Sequence, residues 1–296
     1  MPPADPNPRD RKNPRDRKNP RDRKSPRARS YDPARTRAAL AAQTEVLRTA
    51  VHSLCADDRA EALLARPTRL GEWRVRELVA HLGFVLDWVP RNLGTTVPAG
   101  AELLSLTSWV TGTRSAAADI DAGVREYAAD AFGGSPEQVA AEFDRAADLL
   151  LKTLADEHAP GLAIPTRYGP MPLSDYLVTR LLETVVHGDD LADALGTGIP
   201  HDRQALAAAT RLLADSLAAQ APGGSVELRI PPFAVVQCVA GPRHTRGTPP
   251  NVVETAPLPW IRLATGRAGW TELLDVAQLT ASGERSDLSS LLPVMG

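Results

Sequence analysis

Cysteine is almost missing from this chain: Cys55 and Cys238 are the only two among 296 residues. Two thiols cannot build a multi-cysteine metal cluster, and without an export signal they are expected to stay reduced in a cytoplasmic protein. The N-terminus carries charge but no apolar stretch after it, so no secretory signal is expected. No apolar run approaches the roughly 18–20 residues needed to cross a bilayer, so no membrane span is expected either. Aromatic residues make up 4% of the chain, whereas Ala and Leu crowd many segments, and that composition favours helices. Several catalytic signatures are absent as well. The chain has no G-x-S-x-G elbow, no Walker-type loop, no G-x-G-x-x-G after a strand and no H-E-x-x-H, which removes the commonest hydrolase, nucleotide-binding and zincin readings.

What stands first is a low-complexity arm at residues 1–30. The hexapeptide Asn-Pro-Arg-Asp-Arg-Lys occurs at 7–12, 13–18 and 19–24, followed by the degenerate copy Ser-Pro-Arg-Ala-Arg. With so little apolar surface the arm cannot offset its ordering entropy, and it is expected to be disordered. It holds 11 Lys and Arg against 4 Asp, leaving the remainder with 23 basic and 32 acidic residues. A basic arm on an acidic body raises nucleic acid or anionic lipid as partners. The interleaved Asp residues and the lack of aromatics weigh against both, so the arm is read as a solvated tail and nucleic acid is not expected.

From Tyr31 onward helical periodicity takes over. Residues 34–54 carry a stripe of Leu40, Leu47, Val51 and Leu54, with Asp32 as N-cap and Pro33 at the first helical position. A short helix follows at 57–65, and another begins near Trp73 or Arg74 and runs to about Pro90, with His81 in its apolar middle. Residues 94–110 read as irregular, helices are expected at 111–131 and 136–157, and 163–173 reads as a Pro/Gly loop in which Arg167 and Tyr168 are the chemically capable members. Leu173–Leu195 then reads as one amphipathic helix, and 201–220 as another. After Gly223-Gly224 the character changes: Val-rich runs at 225–230, 233–240 and 251–255 read as strands, mixed with helical stretches at 258–266 and 269–276. An α plus α+β protein results, with a helical domain at 31–222 and a small α+β domain at 223–296.

Glu183 and His187 lie four residues apart on the 173–195 helix, so both project from one face, a turn apart. With His81 they make a two-histidine, one-carboxylate set of the kind that catalytic zinc uses, leaving one coordination position open. Other divalent first-row metals accept the same donors. From spacing alone the trio reads equally well as an ordinary buried polar cluster.

The stretch GEWRVRELVAHL (71–82) resembles one signature of the mycothiol-dependent maleylpyruvate isomerase N-terminal domain, a DinB-like four-helix bundle, and RLLETVVHGDDL (180–191) resembles the second. The resemblance covers about 35–220. It implies a divalent metal, usually zinc, held by His81, Glu183 and His187, with Asp190 standing behind them as a supporting group. PPNVVETAPLPWIRLATGR (249–267) together with TASGERSDLSSLLPV (280–294) is similar to the bacterial sterol-carrier-protein-type domain found behind such bundles in actinobacterial proteins. That likeness implies an α+β domain covering one side of the bundle's cleft. Arg243, Arg246, Arg262 and Arg267 are then the candidates to reach an anionic substrate or a thiol cofactor, because guanidinium pairs bidentately with carboxylate.

The expected function is that of a metal-dependent enzyme, an isomerase or thiol transferase, using mycothiol as cosubstrate on a small electrophile. Neither cysteine lies near a motif, so neither is the nucleophile. Two readings from other classes stand beside it: a carrier of lipid or another apolar ligand, and a non-catalytic metalloprotein of the stress response.

Overall fold

A computed structural model describes residues 30–113, 117–159, 161–241 and 249–295, with residues 117–120 described by their backbone alone. The repeat arm, apart from Ser30, therefore lies outside the described residues, and so do Arg243 and Arg246. Residues Tyr31–Gly296 form one compact unit.

Four long helices form the central bundle: α1 (Pro33–Cys55), α3 (Val75–Asn92), α6 (Pro136–Ala155) and α7 (Leu173–Leu195). α1 and α3 each pack against both α6 and α7, which closes the bundle. Their ends follow local chemistry. Asp32 caps α1 by accepting from Arg35 N, and Ser135 caps α6 by accepting from Gln138 N, each with a proline at the first helical position. Gly196 ends α7 at φ 66°, a left-handed conformation that glycine adopts without a Cβ penalty. Shorter helices α2 (Ala60–Leu64), α4 (Leu106–Gly112) and α5 (Ala117–Ala131) fill the connections.

α7 differs from the expected amphipathic helix. Every residue from Tyr176 to Leu191 is buried, on all faces. The reason is position: α1, α3 and α8 (Arg203–Gln220) surround it, and a helix enclosed by others has no solvent face to present. Its polar residues Arg180, Glu183, His187, Asp189 and Asp190 are thereby buried too, and each must find a partner or a purpose.

Two stretches read as irregular are ordered. α4 starts at Ser105, whose hydroxyl accepts from Ser108 N. The Pro/Gly segment before α7 is a hairpin of β1 (Ala163–Thr166) and β2 (Gly169–Pro172), pairing Ile164 with Met171. Proline is tolerated there because the strands form an isolated two-stranded ribbon.

The C-terminal part is a four-stranded sheet in the order β4-β3-β5-β6, with β3 (Val226–Ile230), β4 (Ala234–Cys238), β5 (Val252–Thr255) and β6 (Leu279–Ser282). β3 pairs antiparallel with β4 and parallel with β5, so Leu228 faces Val236 on one side and Val253 on the other. α9 (Pro257–Ala264) and α10 (Trp270–Asp275) lie between β5 and β6, and residues Ser289–Leu291 form a 3-10 turn. α8 binds both halves. It packs on α1 and α7, and it also accepts a hydrogen bond from the fully buried Trp260 at Thr210 O (3.2 Å) and donates one from Arg211 Nε to Phe233 O (3.0 Å). Among the described residues no helix is long and apolar enough to cross a membrane.

Candidate metal centre and its cavity

The facing of α3 and α7 brings the predicted trio together. His81, Glu183 and His187 are all buried, and one ligand atom from each lies within 4.8 Å of the others. His187 Nε2 stands 3.1 Å and His81 Nε2 3.4 Å from the same oxygen, Glu183 Oε2. The two imidazoles meet edge to face at 4.6 Å between centroids, and the Trp73 ring packs against His81 at 5.1 Å.

The electrostatics suit a cation. Burial opposes ionisation of Glu183, but the hydrogen bonds from His187 and His81 outweigh it and hold the carboxyl well below its ordinary range. Burial, reinforced by neighbouring His187, pushes His81 down to about 4, which keeps this imidazole neutral with a lone pair to give. Burial also disfavours charge on His187, yet the carboxylates of Asp190 and Glu183 overcome it and raise its pKa. Asp190 Oδ2 accepts from His187 Nδ1 at 2.9 Å, which leaves Nε2 as the nitrogen directed at Glu183. A carboxylate behind a histidine in this way is the usual support of a metal-bound imidazole. His81 has no equivalent: its buried Nδ1 has no hydrogen-bond partner. The donor set therefore fits a divalent ion at three positions, with outer support on one histidine of the two.

Behind the trio lies an ion-pair cluster that sequence reasoning did not find. Asp190 Oδ1 accepts from Arg69 Nε (2.6 Å) and Arg267 Nε (3.0 Å), and its Oδ2 accepts from Arg267 Nη2 (2.8 Å). Asp189 accepts from Arg69 Nη2 (2.6 Å) and, bidentately, from Arg262 (2.8 and 2.6 Å). Burial opposes ionisation of both aspartates, but the surrounding hydrogen bonds keep their carboxyl groups below the ordinary range. Arg69 comes from the loop before α3, the aspartates from α7, and Arg262 and Arg267 from α9 and the segment after it. One signal was available: adjacent acids inside an apolar, buried helix require cations from elsewhere.

A cavity of about 320 Å³ opens beside the trio. His81, Glu183 and His187 form part of its wall, and six aromatic residues contribute to the remainder: Trp73, Phe84, Trp88, Trp109, Tyr168 and Tyr176. Tyr168 and Arg167 arrive on the β1–β2 turn, which Thr166 closes by donating to Gly169 O at 2.6 Å. Burial raises the Tyr168 phenol above its ordinary value, so it carries its proton at neutral pH. Of the four arginines expected from the C-terminal part, Arg267 reaches the cavity wall while bound to Asp190, and Arg262 is committed to Asp189 and does not line the cavity. The chain's own thiols stand apart from it. Burial pushes both Cys55 and Cys238 up to about 11, and neither lines the cavity. The other described histidines are elsewhere as well: His52 pairs with Asp144 on the surface, His158 bonds Thr153 O at the end of α6, and His201 sits near Gln43.

Comparison with known proteins bears on the fold that carries this site. Two solved structures, the mycothiol-dependent maleylpyruvate isomerase and a mutant of it, each superpose with a TM-score of 0.53 over 87% of this chain and 95% of theirs, at 18% and 17% sequence identity. That likeness is one of fold. No curated protein matches the chain. Residues 55–192 match the model for the mycothiol maleylpyruvate isomerase N-terminal domain, and residues 202–294 match that for the bacterial SCP ortholog. The resemblance read from the sequence is thus met by two family models in succession along the chain.

Proposed function

We propose that the chain is a metal-dependent enzyme that uses mycothiol, as an isomerase or thiol transferase, on a small electrophile. The observation that carries this reading is the convergence of His81, Glu183 and His187 on the wall of an aromatic cavity. Three protein ligands leave a coordination position open, and a divalent ion there, with zinc the first candidate, would lower the pKa of an added thiol. A thiol from outside is what the cavity itself lacks, since the half-buried Cys55 and the buried Cys238 stand apart from it and are held protonated.

The residues around the ligands have separate tasks. Asp190 fixes the tautomer and orientation of His187, and Arg69 and Arg267 hold Asp190 in place. The aromatic walls hold a planar, conjugated substrate beside the ligands. Tyr168 offers a protonated phenol to oxygen that gains charge when sulfur adds. In an isomerisation the thiolate forms a bond to one alkene carbon, and the electron pair of the double bond moves onto the conjugated carbonyl. Rotation about the new single bond is followed by its reversal, which restores the alkene and the thiolate. In a transfer the sulfur stays bonded and the leaving group departs with its electron pair.

Elemental analysis tests the foundation: about one zinc or similar ion per chain is expected, lost in the His81→Ala, His187→Ala double variant. Metal-free protein with an intact fold refutes the proposal. With metal present, calorimetric titration with mycothiol should show saturable binding; co-purified lipid and no response to the thiol would support a carrier instead.

A further inference from the structure

The two histidines of the trio are held in different ways. His187 leans on a buried carboxylate, whereas the equally buried His81 has no hydrogen-bond partner at Nδ1. Apart from the approach of its Nε2 to Glu183, only packing sets the orientation of the His81 ring. The group packed against it from outside the ligand set is the Trp73 indole, 5.1 Å away between centroids and inclined at 51°. Trp73 is itself fixed at both ends. Its backbone N–H donates to Leu70 O (3.1 Å), and its carbonyl accepts from Thr68 N (3.0 Å) and Thr68 Oγ1 (2.8 Å). At the far end the indole Nε1 donates to Asp121 Oδ1 at 2.6 Å, which satisfies the one polar atom of a buried ring. Asp121, on α5, is held in turn by Arg125 Nε at 3.1 Å.

We infer that Trp73 is the positioning residue of His81, holding by ring contact what Asp190 holds in His187 by a hydrogen bond, with Asp121 as its tether. The turn Thr68–Trp73 then serves both histidines, because Arg69 within it grips Asp190. An imidazole kept in one orientation before an ion arrives has no ordering cost left to meet on binding, so the neighbours of a ligand help to set its affinity. Ring contact gives that order only while the neighbouring ring stays in place, and the place of Trp73 is fixed from α5. The inference rests on the proposed function only in taking His81 as a ligand.

The test measures the zinc affinity of full-length protein by competition with a chromogenic chelator, beside thermal stability. The variants are Trp73→Leu, Trp73→Phe and Asp121→Ala, with Trp73→Leu made also in a His81→Ala background. Trp73→Leu removes the flat ring and should weaken zinc binding by about 10–100-fold, the range for lost support behind a ligand. Trp73→Phe keeps a ring and loses the N–H, so it should stay within about fivefold of wild type, the worth of one hydrogen bond. Asp121→Ala should match it, and the two combined should cost no more than either alone. In the His81→Ala background Trp73→Leu should change affinity by less than about twofold, because the residue it positions is gone. A merely structural tryptophan would lower stability and weaken zinc binding equally in both backgrounds. That result, or a folded Trp73→Leu protein that binds zinc within about twofold of wild type, overturns the inference. If Trp73→Leu does not fold, or His81→Ala binds zinc too weakly to measure, the Phe and Ala variants decide: additive losses, or no loss from either, overturn it. Zinc-free wild type defeats the proposed function and not this inference, which is then read from the His81 imidazole NMR signals of protein isotope-labelled at histidine, assigned with His81→Ala. One sharp set in wild type and Trp73→Phe, with broadened or multiple signals in Trp73→Leu, supports the inference; equally sharp signals in all three overturn it.

Discussion

Replacing Asp190 by Asn removes one charge and almost no volume, and the structure dictates a large effect. The carboxylate is fully buried. Its Oδ1 accepts from Arg69 Nε and Arg267 Nε, and its Oδ2 from His187 Nδ1 and Arg267 Nη2. Turned one way, the amide N–H₂ meets the Nε donors of Arg69 and Arg267; turned the other, it meets Arg267 Nη2 and His187 Nδ1, which can accept only by giving up the tautomer that directs Nε2 at Glu183. Asp189 is left alone to answer Arg69, Arg262 and Arg267. Breaking a buried charge network in this manner costs about 3–5 kcal/mol. For a unit of this size that corresponds to a Tm lowered by about 10 °C. The loss of support behind His187 should weaken metal affinity by about 10–100-fold. Differential scanning calorimetry and competition with a chromogenic chelator read the two effects separately. The pH dependence has a defined sign. Asp190 and Asp189 have folded pKa values below their unfolded ones, so their stabilisation is complete above about pH 4. It is lost as pH falls further, because the unfolded chain takes up protons first. The Tm gap between wild type and variant should accordingly widen as pH falls through the histidine range, because Asp190 helps hold the proton on His187, and narrow below about 4 as the aspartates' share is lost. A neutral-pH gap under about 2 °C, with unchanged metal affinity, would refute the role given to the cluster.

Two further outcomes follow from packing and burial. A Cβ at Gly83 would stand 2.7 Å from Phe132 Cζ, and that ring is fully buried, so Gly83→Ala should cost about 1–3 kcal/mol by overpacking; an unchanged midpoint in a urea titration would contradict the close approach of α3 to Phe132. Cys55 and Cys238 lie about two units above the ordinary thiol value of 9.0, which at pH 8 reduces the thiolate about a hundredfold, partly compensated by its greater intrinsic nucleophilicity. Alkylation by iodoacetamide should be at least about tenfold slower in native than in urea-unfolded protein, and equal rates would show that neither thiol is shielded.

The placing of Glu183 and His187 on one helix face and most element positions were legible because both rest on local signals. Pro172 and Gly196 bracket α7, and Asp32 and Ser135 mark the starts of α1 and α6. Where local and tertiary effects diverge, reading by pattern failed. The hairpin Ala163–Pro172 was hidden by its prolines, and α4 by its short length. α7 was taken for amphipathic because its polar residues follow helical spacing, yet they point into an ion-pair cluster and a cavity rather than to water. The partners of Asp190 lie 121 residues earlier and 77 later, a relation no periodicity records.

The cluster at Asp189 and Asp190 also bears on how such a protein can be assembled by gene fusion or loss. A gene truncated before codon 262 would leave two buried aspartates facing Arg69 alone, a net negative charge pressed against His187. That charge would favour a proton on the imidazole over a metal, so the shortened product would lose affinity for the ion as well as its C-terminal fold. The helical segment's buried acids thus depend on cations that the segment following it supplies.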